Sequence, residues 1–148
     1  MASRRKLLVT GSGGLVGSQS VRYFSSIGFE VFGIDNDMRS YFFGDPASTK
    51  PCINRLKKDI PGYRHFFIDI RDSAKIRALF RSNIFDLVIH AASQPSHDWA
   101  ARDPVCDFQI NSAASLNLLE NLRKFSPEAV FVFISTNKVY GDRPNYLP

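Results

Sequence analysis

Short apolar runs alternate along this chain with longer amphipathic segments, and this alternation restricts the possible folds more than any other feature. Five apolar runs have the length of buried strands, at 6–10, 30–34, 65–68, 85–90 and 129–134. Helical spacing of apolar residues occurs between them, over 15–27, 73–82 and 105 to about 125. Strands joined through helices make right-handed crossovers, which produce a parallel sheet with helices on both faces. The sequence therefore predicts one α/β domain over residues 1–148, a Rossmann-like, doubly wound parallel sheet of about five strands.

The ends of these helices carry typical capping residues. Asp72 is placed as the N-cap of the second helix. Asp103 and Pro104 supply an N-cap and a proline in the first turn of the third helix. Gly28 follows the first helix, as a C-terminal cap residue does.

The connection between the second and third strands differs from the others. Residues 36–62 contain three prolines, two glycines and the aromatic run 41–43, without a sustained period. We expect a long functional connection here, with a helical turn around 52–58.

Composition excludes several classes of protein. The chain has 148 residues, 44% of them apolar, and no apolar run approaches the roughly 18 residues of a membrane span. Cys52 and Cys106 lack metal-ligand or redox spacing, which favours free thiols in a reducing cytoplasm. His65, His90 and His97 show no metal spacing either, and His90 at a strand end is typical of a structural histidine. The net charge of +5 is scattered, so we expect no nucleic-acid and no membrane partner.

A glycine-rich turn separates the first predicted strand from the first helix. Its sequence, TGSGGLVG, has a G-x-x-G-x-x-G spacing. Gly11 permits a tight turn, Gly14 permits close approach of a pyrophosphate, and Gly17 lets the helix pack against the strand. The helix N-terminus at Leu15 and Val16 offers free N–H groups to phosphates. The turn therefore predicts dinucleotide binding.

Asp35 ends the second predicted strand. A carboxylate at this place accepts hydrogen bonds from both adenosine-ribose hydroxyls and repels the 2′-phosphate of NADP. Arg39 lies nearby and would favour a phosphate, but a carboxylate at the strand end usually selects NAD. We predict NAD as the cofactor, with Asp35 and Asn36 at the ribose.

Two further pairs fit the same ligand by position. Asp69 and Ile70 follow the third strand, where adenine is expected, although Asp69 is equally well interpreted as a loop acid. Ala91 and Ala92 follow the fourth strand, where small side chains let the backbone run beside a cofactor.

Together these motifs resemble those of the extended short-chain dehydrogenase/reductase family of nucleotide-sugar epimerases and dehydratases. The matching elements are TGSGGLVG, Asp35, DIRD at 69–72, HAA at 90–92, NSAASLNLLE at 111–120 and STNKVYG at 135–141. The resemblance implies an NAD-dependent epimerase (an isomerase) of the cytoplasm, a CDP-activated or other nucleotide-sugar substrate, and Asn111 beside the cofactor.

The resemblance also implies catalytic residues. Thr136 stands where the family carries its catalytic serine or threonine, which hydrogen-bonds the sugar oxygen being oxidised, and Ser135 is the second choice. The family's base is the tyrosine of a Y-x-x-x-K pair. The chain contains no such pair, and Tyr140 is followed at the fourth position by Pro144. We therefore expect the N-terminal, NAD-binding half of a longer enzyme, inactive without the later strands and the C-terminal sugar-binding domain.

Three segments resemble one branch of this family, the CDP-paratose (CDP-tyvelose) 2-epimerases, at 36–44, 93–100 and 135–142. This resemblance implies transient oxidation at sugar C2 and return of hydride to the opposite face. The segment 93–100 is expected as a loop at the carboxyl ends of the strands, where substrate binds. Gln94, Ser96 and His97 are substrate candidates there, or ordinary loop residues.

Two alternatives remain open. One is another epimerase or a dehydratase of the same family, although 4,6-dehydratases carry Asp-Glu where this chain has Asn137 and Lys138. The other is a non-catalytic dinucleotide-binding module. The family commonly dimerises through helices at the position of 105–125, so a homodimer with Leu118 and Leu122 in the contact is expected, or a helix with one wet face.

Overall fold

Five parallel strands organise the chain, as the alternation of apolar runs predicts. The computed structural model describes residues 4–136, 141 and 143–146. The strands are β1 Lys6–Thr10, β2 Glu30–Ile34, β3 Arg64–Phe66, β4 Leu87–His90 and β5 Val130–Phe133. They form one sheet in the order β3-β2-β1-β4-β5 with every pair parallel. The predicted doubly wound, Rossmann-like α/β fold is confirmed.

The α-helices of the described residues are α1 Leu15–Ser26, α2 Met38–Phe43, α3 Lys50–Asp59, α4 Ser73–Ser82, α5 His97–Arg102, α6 Pro104–Phe108 and α7 Ala114–Phe125. Short 3-10 helices cover Asp45–Ala47 and Arg143–Tyr146. The predicted caps are present. The carboxylate of Asp72 accepts a hydrogen bond from Lys75 N–H at 3.0 Å, and that of Asp103 from Cys106 N–H at 2.9 Å. Gly28 has a left-handed φ of +93° after α1.

Three helices lie where the sequence predicts little helix. The connection 36–62 contains α2 and the ten-residue α3 instead of one turn around 52–58, and α5 begins inside the segment expected as the loop 93–100. Only Ile53 and Leu56 of α3 are buried, so its apolar period is too sparse to recognise. No residue of α2 is buried, and its position depends on contacts with other segments.

The predicted helix from 105 to about 125 is continuous but contains a π-helical turn, Gln109–Ala113, between α6 and α7. Such turns occur frequently at functional sites. Leu118 and Leu122 are buried in the core, whereas Leu116 and Leu119 are exposed. The expectation that Leu118 and Leu122 contribute to a subunit contact is therefore wrong, because both side chains face the sheet.

Apolar side chains pack on both faces of the sheet. One cluster contains Leu8 and Phe32 with residues of α4 and α7. The other contains Leu7 and Val31 with residues of α1 and α3. Since α1 and α7 lie on opposite faces, the chain leaves β1 and β4 in opposite directions, which opens a crevice at the carboxyl ends of these neighbouring strands.

Two kinds of site find no support in the described part of the chain. No helix there is long and apolar enough to cross a membrane. No group of three or more His, Cys, Asp or Glu side chains there could hold a metal ion.

His90 connects three elements below the crevice. Its buried ring lies with Nδ1 2.6 Å from Thr10 Oγ and Nε2 2.9 Å from Ser115 Oγ. The Ser115 hydroxyl donates to the carbonyl of Asn111 at 2.8 Å, and Ala92 N–H donates to Thr10 Oγ at 3.1 Å. Thr10 therefore donates to Nδ1, and the ring proton is on Nε2. These contacts agree with a structural role for His90.

Burial lowers the pKa of His90 from 6.5 to about 4. Between these values the unfolded chain binds a proton that the folded chain excludes, so the free energy of unfolding should increase as the pH rises through this window and level off above it. The increase due to His90 should be about 3 kcal/mol, measured by urea unfolding at several pH values. Burial also lowers the pKa of His65, which acts in the same direction. The free energy of unfolding should therefore depend less steeply on pH in His90→Gln than in His65→Gln. An unchanged pH dependence in His90→Gln would contradict the lowered pKa of His90.

Candidate functional site

The crevice at the carboxyl ends of the strands contains most of the predicted site residues. The described residues that line it are Gly11, Gly14, Leu15, Val16, Gly17, Ile34, Asp35, Asn36, Met38, Arg39, Phe42, Thr49, Ile68, Asp69, Ile70, Ala91, Ala92, Ser93, Pro95, Ile110, Ile134 and Ser135. Of the residues predicted at the cofactor, Asn111 alone is outside this set. Of the predicted catalytic and substrate-side residues, Ser135 lines the crevice and the others do not.

The glycine turn brings backbone segments closer together than side chains would allow. Gly11 has a φ of +65°, and a Cβ on it would lie 2.8 Å from Ala92 N. A Cβ on Gly17 would collide with the carbonyl oxygen of Gly11. A Cβ on Gly14 would meet the Gly11 oxygen at 3.3 Å and nothing else within 4 Å. The geometry agrees with the roles expected from the spacing and adds the contact between Gly11 and the end of β4.

The first turn of α1 opens into the crevice without a side-chain cap. Its N-cap is Gly14, and the turn contains no acidic residue. Leu15, Val16 and Gly17 line the crevice. The first N–H groups of a helix lack partners within the helix and carry the positive end of its dipole. The residues present therefore fit a pyrophosphate group.

Three donors fix the carboxylate of Asp35. Its Oδ2 accepts a hydrogen bond from Gly13 N–H at 2.9 Å. Its Oδ1 accepts one from Asp37 N–H at 2.8 Å and one from the Thr49 hydroxyl at 2.9 Å. A carboxylate has about four acceptor positions. The carboxylate therefore retains capacity, on Oδ2, for a hydroxyl of a bound ribose.

Asp69 lies after β3 and pairs with Arg71. The guanidinium Nη2 is 2.6 Å from Asp69 Oδ2, and the amide of Asn36 donates to the same oxygen at 2.9 Å. Burial alone would raise the pKa of Asp69, but Arg71 and Asn36 hold this pKa below its ordinary value. Asp69 is thus an ionised loop acid that also lines the crevice, and its place beside the adenine stays a prediction.

Gln94 and Asn111 bind each other beside the crevice. Asn111 Oδ1 accepts from Gln94 N–H at 2.9 Å, and Asn111 Nδ2 donates to Gln94 O at 3.1 Å. The buried Gln94 amide donates to Asp107 Oδ1 and to Ser96 O, each at 2.9 Å. In this structure both side chains attach the segment after β4 to the π-helical turn, while the predicted contacts of Asn111 with cofactor and of Gln94 with substrate stay predictions.

Ser96 and His97 belong to the start of α5. Ser96 Oγ accepts from Trp99 N–H at 3.2 Å and caps the helix, while His97 is exposed in its first turn. Two other residues of the same segment, Ser93 and Pro95, line the crevice. The predicted substrate-side residues therefore lie next to the crevice wall instead of within it.

The predicted catalytic residues follow β5 at the same edge of the sheet. Ser135 lines the crevice, and Thr136 comes next along the chain with an exposed side chain. Residues 137–140, which complete the motif, lie outside the described part of the chain. The hydrogen bond expected from Thr136 to a sugar remains a prediction.

Two short helices, α2 and α5, are joined by aromatic contacts at the crevice wall. The indole Nε1–H of Trp99 donates to the carbonyl of Phe42 at 2.8 Å. Its ring centroid lies 5.3 Å from that of Tyr41 and 5.4 Å from that of Phe42. Because Phe42 and Pro95 line the crevice, this Trp99 contact connects the segment after β2 with the segment after β4.

Several lining residues were not predicted as site residues. They are Ile34, Met38, Phe42, Thr49, Ile68, Ser93, Pro95, Ile110 and Ile134. Ile34 and Ile134 were recognisable as the last apolar residues of predicted strands. Thr49 carried no such signal, because it follows Asp35 by 14 positions within a connection that has no period.

Comparisons with known proteins agree with this geometry. The sequence profile of the NAD dependent epimerase/dehydratase family matches residues 7–148. A CDP-paratose 2-epimerase of Salmonella typhi is 30% identical over 95% of this chain and 39% of its own length. A UDP-glucose 4-epimerase of Caenorhabditis elegans is 32% identical over 96% of this chain and 40% of its own length. The chain thus spans about 40% of the length of these curated relatives.

A solved structure is similar as well. It is the UDP-glucose-4-epimerase of Stenotrophomonas maltophila with bound NAD and formylated UDP-arabinopyranose. It superposes with a TM-score of 0.77 at 25% identity, over 93% of this chain and 39% of that one.

Removal of the Trp99 hydrogen bond should loosen α2. In Trp99→Phe the aromatic body remains but the donor to Phe42 is lost, a change of about 1 kcal/mol. Hydrogen exchange of the amides of α2, followed by mass spectrometry, should become about fivefold faster. Tyr41→Phe is the matched control, since it removes a hydroxyl from the same aromatic group and keeps the indole donor. Equal exchange in wild type and Trp99→Phe would show that the hydrogen bond does not position α2.

Proposed function

Because the chain belongs to the NAD dependent epimerase/dehydratase family, we propose that residues 1–148 form the NAD-binding portion of a nucleotide-sugar epimerase. The observation that carries the proposal is the presence, in one crevice, of an uncapped helix N-terminus and the oriented carboxylate of Asp35. The family is described as NAD dependent, and NAD is accordingly the expected cofactor. Residues 1–148 would be one domain of a longer enzyme whose later strands and sugar-binding domain follow.

The residues of the crevice have distinct roles in this proposal. The first N–H groups of α1 bind the pyrophosphate, and Asp35 accepts the ribose hydroxyls. Ile70 lies against the adenine, while Ala91 and Ala92 let the backbone run beside the dinucleotide. Bound NAD supplies the chemistry of accepting hydride from a sugar carbon and returning it.

The protein's own chemical contribution in this portion is a hydroxyl group after β5. Thr136 donates to or accepts from the sugar hydroxyl that loses its proton, with Ser135 as the second candidate. The proton itself would go to the tyrosine of a Y-x-x-x-K pair. In this proposal the pair belongs to the part of the longer enzyme that residues 1–148 do not include. Gln94, by fixing the segment 93–100 on Asn111, shapes the wall against which a sugar would lie.

The finer proposal is epimerisation at C2 of a CDP-activated sugar. It is supported by the resemblance of segments 36–44, 93–100 and 135–142 to the 2-epimerases and by the Salmonella typhi relative. The similar identity to a UDP-glucose 4-epimerase favours a second candidate, epimerisation at C4 of a UDP-sugar. A dehydratase is disfavoured because Asn137 and Lys138 stand in place of an acidic pair.

A homodimer contact through the helix over 105–125 also belongs to the proposal. The exposed apolar residues Leu116 and Leu119 of α7 supply the surface. The buried Leu118 and Leu122 do not.

The chain should bind NAD⁺ more tightly than NADP⁺, because a 2′-phosphate would approach the carboxylate of Asp35. Calorimetric titration of residues 1–148 with each dinucleotide measures the preference. Asp35→Ala should weaken NAD⁺ binding and narrow the difference between the NAD⁺ and NADP⁺ affinities. It removes both the acceptor for the ribose hydroxyls and the charge that repels the 2′-phosphate. Asp59→Ala, at a surface carboxylate that pairs with Arg22 outside the crevice, is the control. Equal or tighter binding of NADP⁺ to the wild type would contradict the assignment.

Residues 1–148 should bind NAD⁺ without converting nucleotide sugars, because no Y-x-x-x-K pair occurs in this sequence. General-base assistance is typically worth about 10²–10⁴-fold in rate. Incubation of the chain with NAD⁺ and either a CDP-hexose or UDP-glucose, followed by chromatography of the sugars, should show only starting material. Conversion of either sugar would place the base among the residues of this chain and would also identify the substrate class.

A further inference from the structure

A single hydroxyl lies between two carboxylates at the crevice wall. Thr49 is buried, and its Oγ is 2.9 Å from Asp35 Oδ1 and 3.1 Å from Asp37 Oδ1. A hydroxyl has one proton to donate, so the two carboxylates share it. Thr49 also lines the crevice, whereas Asp37 lies behind it.

Asp37 is a buried carboxylate that remains ionised. Its oxygens accept hydrogen bonds from Thr49 N–H at 2.6 Å, Ser48 Oγ at 3.0 Å and Ser40 Oγ at 3.2 Å, and Lys50 Nζ lies 3.5 Å away. Burial alone would raise the pKa of Asp37, but these hydrogen bonds hold the pKa below its ordinary value. Thr49 therefore links the Asp35 carboxylate to a second ionised carboxylate, which is itself paired with Lys50.

The same residues determine where the Asp35 carboxylate points. Asp37 N–H and the Thr49 hydroxyl both donate to its Oδ1, which leaves Oδ2 with Gly13 N–H as its partner. Loss of the Thr49 hydroxyl leaves the carboxylate with two of its three donors, Asp37 N–H and Gly13 N–H, and so fixes its orientation less firmly. Arg39 is the sole Lys or Arg among the described lining residues, so a carboxylate that no longer points at the ribose opposes less the attraction of this guanidinium for a 2′-phosphate.

We propose that Thr49, backed by Asp37, is a specificity-determining residue that aims Asp35 at the ribose diol and so excludes a 2′-phosphate. Thr49 acts as a positioning residue through Asp35, and Asp37 holds Thr49 in place by accepting its N–H and contacting its hydroxyl. This inference rests on the proposed binding of NAD and names the group that sets its selectivity over NADP.

The experiment compares Thr49→Val with Thr49→Ser in the full chain, by calorimetric Kd values for NAD⁺ and NADP⁺. Thr49→Val keeps the shape and removes the donor, so the ratio of the NADP⁺ Kd to the NAD⁺ Kd should fall about tenfold, as for loss of a hydrogen bond to a charged group. Thr49→Ser restores the donor and should return the ratio to within about twofold of wild type. Ser48→Ala is the matched control, because its hydroxyl donates to Asp37 and not to Asp35 among the described contacts. It should leave the ratio unchanged.

The outcomes distinguish failure of the proposed NAD binding from failure of the role proposed for Thr49. A wild-type chain without preference for NAD⁺ overturns the proposed function itself. If the wild type prefers NAD⁺ and Thr49→Val keeps the same ratio of Kd values, this inference alone is overturned. It is also overturned if the ratio falls equally in Ser48→Ala, because the effect would then come from loosening around Asp37. If Thr49→Val does not fold, Thr49→Ala removes the same donor with a smaller side chain, and an unchanged ratio there overturns this inference.

Discussion

Contact between Gly11 and the backbone of residues 91–92 is the constraint on which the crevice depends. β1 and β4 are neighbours in the sheet, but α1 and α7 pack on opposite faces, so the chain must separate directly after these strands. A Cβ on Gly11 would lie 2.8 Å from Ala92 N, which shows how little space separates the two segments. Because the turn is this tight, α1 starts at the crevice with its N–H groups directed toward it. A larger residue at Gly11 would move the helix start and the end of β4 apart.

The crevice combines a helix N-terminus with carboxylates, and this combination fits the phosphates and the hydroxyl and amino groups of an adenosine diphosphate group. The first turn of α1 itself contains no acidic residue, which favours an anion there, while Asp35 accepts a hydrogen bond from Gly13 N–H just before the helix. At the end of β2 the carboxylates of Asp35 and Asp69 line the wall, which favours neutral hydroxyl and amino donors. We therefore expect the site to select a ligand by the position of its charge as well as by its amount. Arg39 works against that selection, which makes the orientation of Asp35 important.

Elements with a local signature were predictable, and those that depend on distant partners were not. The glycine turn, Asp35 and the caps at Asp72 and Asp103 each need only a few neighbouring residues, and the structure has them where the sequence predicts. The π-helical turn leaves no period in the sequence, and the expectation that Leu118 and Leu122 lie in a subunit contact is wrong because both are buried. Asn111 belongs to a family motif, but its side-chain amide forms hydrogen bonds with the backbone of Gln94. A motif in the sequence does not indicate this partner.

The wall formed by residues 36–49 shows why such partners matter. α2 buries no residue completely, although Met38 and Phe42 pack against the core as partly buried side chains. Polar contacts attach it further: the carboxylate of Asp37 with Thr49, the indole of Trp99 with Phe42, and the guanidinium of Arg71, which is 3.3 Å from Met38 Sδ. Segments with few buried apolar contacts open at lower free energy than the core does. A dinucleotide that contacts both α1 and this wall stabilises their observed arrangement by mass action. Binding of the cofactor and ordering of the wall are therefore expected to be coupled, because Arg39 and Thr49, which we propose to influence ligand selection, lie on this wall.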